Sequence, residues 1–270
     1  MKQLAGRIFA ITGAASGIGK ALALELAEHG AHLALSDIDQ VGLADTLDRV
    51  AAATPTTTAI VDVADRNAMF GWAEQVVTDH GRVNAIVNNA GVNLHDDVET
   101  QSIRDVEWVI DTDFWGVVHG TQAFLPHLLA SGEGHVVNIS SVFGLVSIPN
   151  QSAYNAAKFA VRGYTDALRM ELELDGAPVS ATSVHPGGIK TDIVRNSRTK
   201  NKQQMAERFD RAARTTPDNA ARQIVRAIQR DRRRALIGPD AILFDAASRL
   251  PASVSQRIVM AIARRQPEDG

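Results

Sequence analysis

Tyr154 and Lys158 stand four residues apart in a stretch of helical pattern, Ser152 to Leu174, so their side chains share one helix face. A free tyrosine has a pKa of about 10, and a lysine ammonium beside it favours the phenolate. Such a pair can give and take a proton closer to neutrality. Taken alone, Y-x-x-x-K reads equally well as a surface helix pair. Here it follows a strand-like run, His135 to Ser140, and Ser141, whose hydroxyls would reach the mouth of a sheet. Ligands in open α/β sheets bind at the carboxyl ends of strands, so the context adds what the spacing lacks.

A second constellation lies near the N-terminus. Thr12-Gly13-Ala14-Ala15-Ser16-Gly17-Ile18-Gly19 separates the apolar run Ile8 to Ile11 from a helical pattern, Ile18 to Glu28. A dinucleotide's pyrophosphate needs close backbone approach, exposed N–H groups and a helix N-terminus aimed at it. Glycines at 13, 17 and 19 would supply the turn, the approach and tight helix packing, in GxxxGxG rather than GxGxxG spacing. Alone, the cluster could be a plain strand-to-helix connection; its place after the first strand points to a cofactor loop. Asp37 ends the next strand-like run, 24 residues beyond Gly13. A carboxylate there can accept hydrogen bonds from both adenosine ribose hydroxyls and would repel a 2′-phosphate. No Arg or Lys stands in the loop or beside Asp37, and Asp39 is better placed to cap the following helix. The expected cofactor is NAD rather than NADP.

The elements that must position these groups alternate regularly. Strand-like runs at Ile8 to Ile11, His32 to Ser36, Thr57 to Val63, Val83 to Asn88, His135 to Ser140, Val179 to Val184 and Ala235 to Ile237 are separated by helical patterns. The helices are expected at Ile18 to Glu28, Gly42 to Ala52, Arg66 to Thr78, Ile103 to Ala130, Ser152 to Leu174 and Pro217 to Arg230. This alternation predicts βαβ units and a parallel sheet covered on both faces, in one domain with no dividing linker.

With these motifs in this order, the chain resembles the short-chain dehydrogenase/reductase family over roughly residues 5 to 192. The matching motifs are the glycine loop, Asp62-Val63, Asn88-Asn89-Ala90-Gly91, Ser141, Tyr154-x-x-x-Lys158 and Pro186-Gly187. The resemblance implies a single Rossmann-like α/β domain with a doubly wound, seven-stranded parallel sheet. It also implies a nicotinamide cofactor and a homodimer or homotetramer. By the same resemblance Tyr154 exchanges the proton, Ser141 holds the substrate oxygen, and Lys158 lowers the tyrosine pKa and binds the nicotinamide ribose. Gly13, Ser16, Gly17, Ile18 and Gly19 would hold the pyrophosphate, and Asp62 and Val63 would flank the adenine. Asn89, Ala90 and Gly91 would line the cofactor trough beside Asn88, which reads as mainly structural. Pro186, Gly187, Ile189 and Thr191 would meet the nicotinamide.

One position departs from the family pattern. The usual asparagine of an N-x-x-G stretch is Asp113, in Asp113-Phe114-Trp115-Gly116. The aspartate keeps an acceptor, loses the amide donor and brings a charge that would oppose phenolate formation at Tyr154. Ionisation is expected, because Lys158 should lie close; a buried, protonated Asp113 would instead act as a donor and leave the tyrosine nearly untouched. The substrate pocket is expected from Val92 to His95, Val142 to Asn150 and the segment after Gly188. Phe143, Leu145, Val146 and Ile148 would make one apolar wall, suited to a secondary alcohol or ketone of moderate size. His95 is either a polar contact or a solvent-facing loop residue. The reading is an NAD-dependent oxidoreductase. Two alternatives stand beside it: an NADP-dependent carbonyl reductase, and a catalytically silent dinucleotide-binding sensor or scaffold.

Composition sets the outer limits. The 270 residues, 45% hydrophobic and 22% charged with a net charge of −3, describe an ordinary globular protein with no global reason to bind nucleic acid. Zero cysteines exclude a disulfide framework, a thiolate zinc site and a cysteine nucleophile, and no metal site is expected. No apolar run approaches the roughly 18 residues needed to cross a bilayer, and a cytoplasmic location is expected. Charge is uneven: Arg195 to Arg234 holds thirteen Lys and Arg against four Asp and Glu, which reads first as a solvated face. Overlapping it, residues 191–215 form a possible substrate lid. Residues 240–270 form a C-terminal helical extension in which Val254, Ile258, Ala261 and Ile262 share a face, expected to pack on the domain or a subunit.

Overall fold

A computed structural model describes residues 1–50, 52–195, 197–199 and 202–264. Asn196, Lys200 and Asn201 of the expected lid, Ala51 of the second expected helix and residues 265–270 of the extension lie outside the described residues, as does the side chain of Ile262. Seven strands, β1 (Ile8–Thr12), β2 (His32–Asp37), β3 (Thr56–Ile60), β4 (Ala85–Asn88), β5 (Gly134–Ile139), β6 (Val179–Pro186) and β7 (Arg234–Ile237), form one sheet. Their order is β3-β2-β1-β4-β5-β6-β7, and every pairing is parallel. The order reverses between β1 and β4, which opens a crevice at their carboxyl ends.

The pleat divides each strand between two cores. Phe9 and Ile11 of β1 face one side with α1 (Gly17–Glu28) and α8 (Pro217–Gln229). Ile8 and Ala10 face the other with α3 (Arg66–His80), α5 (Gly116–Ala130) and α6 (Ser152–Leu174). A sheet covered on both faces needs apolar residues at every strand position, which is why β1, β4 and β5 are buried throughout. β3, at the edge, alternates instead and ends at Ile60, short of the expected Val63. α2 (Gln40–Val50) completes the first half. Asp39 caps it as expected, its Oδ1 accepting from the N–H groups of Val41 and Gly42.

The expected single helix from Ile103 to Ala130 is interrupted. α4 (Ile103–Ile110) passes through a π-helical turn at Asp111–Trp115 before α5 begins. Gly116 lies against the Val63 side chain, and a Cβ there would sit 2.6 Å from Val63 Cγ2. The widened turn carries Asp113 to full burial. Such turns concentrate at functional positions.

Beyond β6 come α7 (Lys202–Ala212), α8, α9 (Pro239–Ser248) and α10 (Ala252–Ala263). Some arginines of the basic segment pair with acids from elsewhere: Arg198 with Asp105, Arg233 with Glu173, and Arg234 with Asp166 and Asp245. The expected packing of the α10 stripe on the domain is not found. Val254 and Ile258 each remain 43% exposed, and among the described residues α10 packs mainly on α9.

Candidate active site

The carboxyl ends of β1 and β4 are tied together by one side chain. Thr12 Oγ1 accepts from the backbone N–H groups of Asn89 and Ala90, both at 3.0 Å. Asn89 returns the contact, its Nδ2 donating to the Thr12 and Gly13 carbonyls at 3.0 and 3.1 Å. Gly13 has φ +65°, and a Cβ on it would lie 2.8 Å from Ala90 Cα. Gly19 stands behind it, where a Cβ would overlap the Gly13 carbonyl oxygen. Gly19 therefore does not line the cavity and serves close packing instead. No side chain caps α1, and Ser16, Gly17 and Ile18 lie in the cavity wall.

Asp37 closes β2 with both carboxylate oxygens engaged. Oδ2 accepts from Ala15 N–H at 2.9 Å and Oδ1 from Asp39 N–H at 3.0 Å. Asp62 accepts from Ala64 N–H, and Val63 sits beside it. Among the described lining residues next to Asp37, namely Ala15, Ile38, Asp39 and Val61, none is a cation. Asn88 is turned away from the cavity into a buried network, donating to Asn138 Oδ1 at 2.8 Å and to Thr121 Oγ1 at 3.2 Å.

At the other end of the cavity α6 presents Tyr154 and Lys158, both buried. Lys158 Nζ lies 3.0 Å from Asp113 Oδ2, donates to the Ile139 carbonyl at 3.3 Å, and sits 5.4 Å from the Tyr154 ring centre. Asp113 Oδ1 accepts from Val92 N–H at 2.7 Å. Ser141 follows β5 and accepts from Phe143 N–H, which holds the short 3-10 turn at Val142–Gly144. His185, buried and held at a pKa of about 4 by desolvation, pins the Ser141 carbonyl through Nδ1 at 2.9 Å.

Burial pushes the Tyr154 phenol above its ordinary pKa; the Lys158 charge opposes that rise, the Asp113 charge adds to it, and Ser141 opposes it through a hydrogen bond. Burial works against the Lys158 ammonium, yet the Asp113 carboxylate carries its pKa above the ordinary lysine value. Asp113 itself lines no part of the cavity. It touches Lys158 and the Val92 backbone.

One continuous cavity of about 1160 Å³ runs from Asp37 and Asp62 past the glycine loop to Tyr154. Drug-sized ligands occupy roughly 300–1,000 Å³, so this space admits a dinucleotide together with a substrate. The residues present fit that cofactor: a loop that presents Gly13 and Gly17 to the cavity, an uncapped helix start, and Gly91, where a Cβ would sit 3.4 Å from Lys158 Nζ. Gly13, Asn89, Ala90, Gly91, Pro186, Gly187, Ile189 and Thr191 all face it, as do Ser141 and Lys158.

Residues 7–202 match the family described as short chain dehydrogenase. The chain belongs to the short chain dehydrogenase family. It is 48% identical over 267 residues to the putative oxidoreductase SadH of Mycobacterium tuberculosis strain H37Rv, covering 97% of this chain and 96% of that one. A solved short chain dehydrogenase/reductase from Burkholderia phymatum, in complex with NAD, superposes with a TM-score of 0.88. That pair shares 29% identity over 95% of this chain and 96% of the other. A short chain dehydrogenase from Mycobacterium paratuberculosis bound to NAD gives a TM-score of 0.74 at 26% identity, over 83% and 91%. This short chain dehydrogenase is thus an oxidoreductase with the fold its sequence motifs imply.

The substrate end of the cavity differs from expectation in detail. Val92, His95, Phe143 and Ile148 line it, whereas Leu145 and Val146 turn into the protein and are buried there. The short turn after Ser141 faces only some of its side chains inward. His95 is a half-buried cavity residue, its pKa lowered by burial, rather than a solvent-facing one. Lining residues that went unread in the sequence include Trp108, Asp240 and Phe244. The last two come from α9 at the carboxyl end of β7, the same sheet edge that flagged the glycine loop. Applying the strand-end rule to the last strand would have found Asp240. Among the described residues no group of three His, Asp or Glu could hold a metal, and no helix is long and apolar enough to cross a membrane.

Proposed function

We propose that this oxidoreductase interconverts a secondary alcohol and a ketone by hydride transfer with NAD, with Tyr154 as general acid and base. The observation that carries the reading is the meeting of Tyr154, Ser141 and Lys158 in one cavity that continues to the glycine loop and Asp37. In oxidation, Tyr154 Oη takes the hydroxyl proton of the substrate while the carbinol hydrogen departs as hydride; in reduction the phenol returns the proton. Ser141 Oγ holds the substrate oxygen. Lys158 favours the phenolate by its charge and holds the nicotinamide ribose. NAD, when bound, supplies the hydride acceptor or donor. Gly13, Ser16, Gly17 and Ile18 hold its pyrophosphate, Asp37 its adenosine ribose, Asp62 and Val63 its adenine. Asn89, Ala90 and Gly91 line its trough, and Pro186, Gly187, Ile189 and Thr191 hold the nicotinamide end. The absence of a cation among the described lining residues next to Asp37 supports NAD over NADP.

Phe143, Ile148, Trp108 and Phe244 suit a largely apolar substrate of moderate size. Trp115, Phe159 and Met170, exposed on neighbouring elements, support a homodimer or homotetramer. The test is a panel of secondary alcohols and ketones with NAD and NADP, followed at the nicotinamide absorbance. Turnover is expected with NAD, and Asp37→Ala should narrow the preference over NADP. Tyr154→Phe should cost about 10²–10⁴-fold in rate while cofactor still binds. Turnover surviving in Tyr154→Phe at a comparable rate would place the proton elsewhere.

A further inference from the structure

Asp240 opens α9, yet its carboxylate is spent on a different part of the chain. Its Oδ2 accepts from the Gly188 N–H at 2.6 Å. A Cβ on Gly187 would overlap both carboxylate oxygens. Gly238, at φ +93°, makes the same allowance, since a Cβ there would lie 2.8 Å from Asp240 Oδ1 and 2.8 Å from Thr215 Oγ1. Two glycines, one after β6 and one after β7, thus clear the space that one acid fills. An acid in the first turn of a helix is commonly explained by the helix dipole. The dipole does not account for a carboxylate wedged against the neighbouring strand's turn with its own hydrogen-bond donor.

The wedge carries charge as well as shape. Asp240 lines the cavity together with Pro186, Gly187, Ile189 and Thr191. Among the described residues it forms no ion pair, whereas Lys158 is paired with Asp113 at 3.0 Å and Asp192 with Arg195 at 3.5 Å. The charge of Asp240 is therefore met by the Gly188 N–H and the start of α9, but by no cation among the described residues. A nicotinamide ring is cationic when oxidised and neutral when reduced, so a fixed negative charge discriminates between the two. We infer that Asp240 fixes the turn at Pro186–Gly188 and, by its charge, favours binding of the oxidised cofactor over the reduced one. This rests on the placement of the nicotinamide end proposed above. By linkage it makes bound NADH the stronger hydride donor, so Asp240 is a positioning residue that also biases the bound couple toward ketone reduction.

The experiment is titration of wild type, Asp240→Asn and Asp240→Ala with NAD⁺ and NADH, read by isothermal calorimetry on protein verified as folded by thermal melting. Asparagine keeps an acceptor for the Gly188 N–H and removes the charge. It should raise the Kd for NAD⁺ at least about fivefold, the effect of a unit charge about 4 Å away under water-like screening, with the NADH Kd nearly unchanged. Alanine removes both contributions and should weaken both forms. Asp240→Ser, neutral and smaller, is read by the same ratio if the amide is not tolerated. An unchanged ratio of the two constants in the neutral variants, with both forms still binding, would overturn the inference alone. Wild-type protein that bound neither form would overturn the dinucleotide reading and this inference with it.

Discussion

At the scale of single residues, the chemistry depends on how three buried ionisable groups share one small volume. Lys158 lies between the Tyr154 ring and the Asp113 carboxylate, and all three are shielded from solvent. An asparagine at 113 would leave the lysine charge to act on the phenol alone. The aspartate adds a charge of the opposite sense, one of the contributions that hold the Tyr154 pKa up. Asp113→Asn should therefore lower the tyrosine pKa. Oxidation needs the phenolate, so the rising limb of its pH–rate profile should move to lower pH, by about a unit or less. Activity is expected to persist, because the amide oxygen still accepts from Lys158. A rising limb that stays in place would show that the Asp113 charge does not reach the tyrosine.

At the scale of elements, two features place groups that periodicity alone could not. The π-helical turn at Asp111–Trp115 rotates the helix after it, and so brings Asp113 inward beneath Lys158. A continuous α-helical reading of residues 103–130 blurs that rotation, because one extra residue per turn leaves the apolar pattern nearly intact. The second feature is the segment over the cavity. Arg198 stacks on Trp108 at 3.8 Å, pairs with Asp105 at 2.6 Å, and joins residues 93–95 by a parallel bridge. A second bridge, Ile189 with Thr215, ties the two ends of the segment together. The proposed lid thus has two reporter amides, Arg198 N–H to the Asn93 carbonyl and His95 N–H to the Arg198 carbonyl. Their hydrogen exchange should slow when cofactor binds, as closure of a lid requires. Equal protection with and without cofactor would remove the lid.

At the scale of the whole molecule, two histidines in the sheet make stability depend on pH. Burial lowers the pKa of His135 to about 3 and that of His185 to about 4. Both are neutral in the folded protein over a range where the unfolded chain takes up protons at a pKa of about 6.5. The unfolded state then binds more protons, so stability rises with pH in that range. The contribution is complete above about pH 6.5 and is lost progressively toward pH 4, on the order of several kcal/mol for the pair. Melting temperature should fall over that window, and His135→Gln should flatten the fall. A melting temperature that is level from pH 7 to pH 4 would contradict the neutral burial of both rings.

What the sequence by itself determined is local and repetitive. Strand runs buried on both faces, the alternation of strand and helix, the glycines at 13, 17 and 19, and the spacing of Tyr154 and Lys158 follow from side-chain type and period. Asp39 as the cap of α2 was legible for the same reason, since a cap acts on residues two and three positions away. The tertiary structure decided whatever joins distant segments. Thr12 tying β1 to β4, Leu145 and Val146 turning away from the cavity, and α10 standing off the domain carry no local signature. Asp240 shows the reason most clearly. Its contact with Gly188 spans 52 positions, and it exists only because parallel strands bring the ends of β6 and β7 side by side. Pattern along the chain encodes which face a residue turns inward; only the folded sheet sets which other residue it meets there.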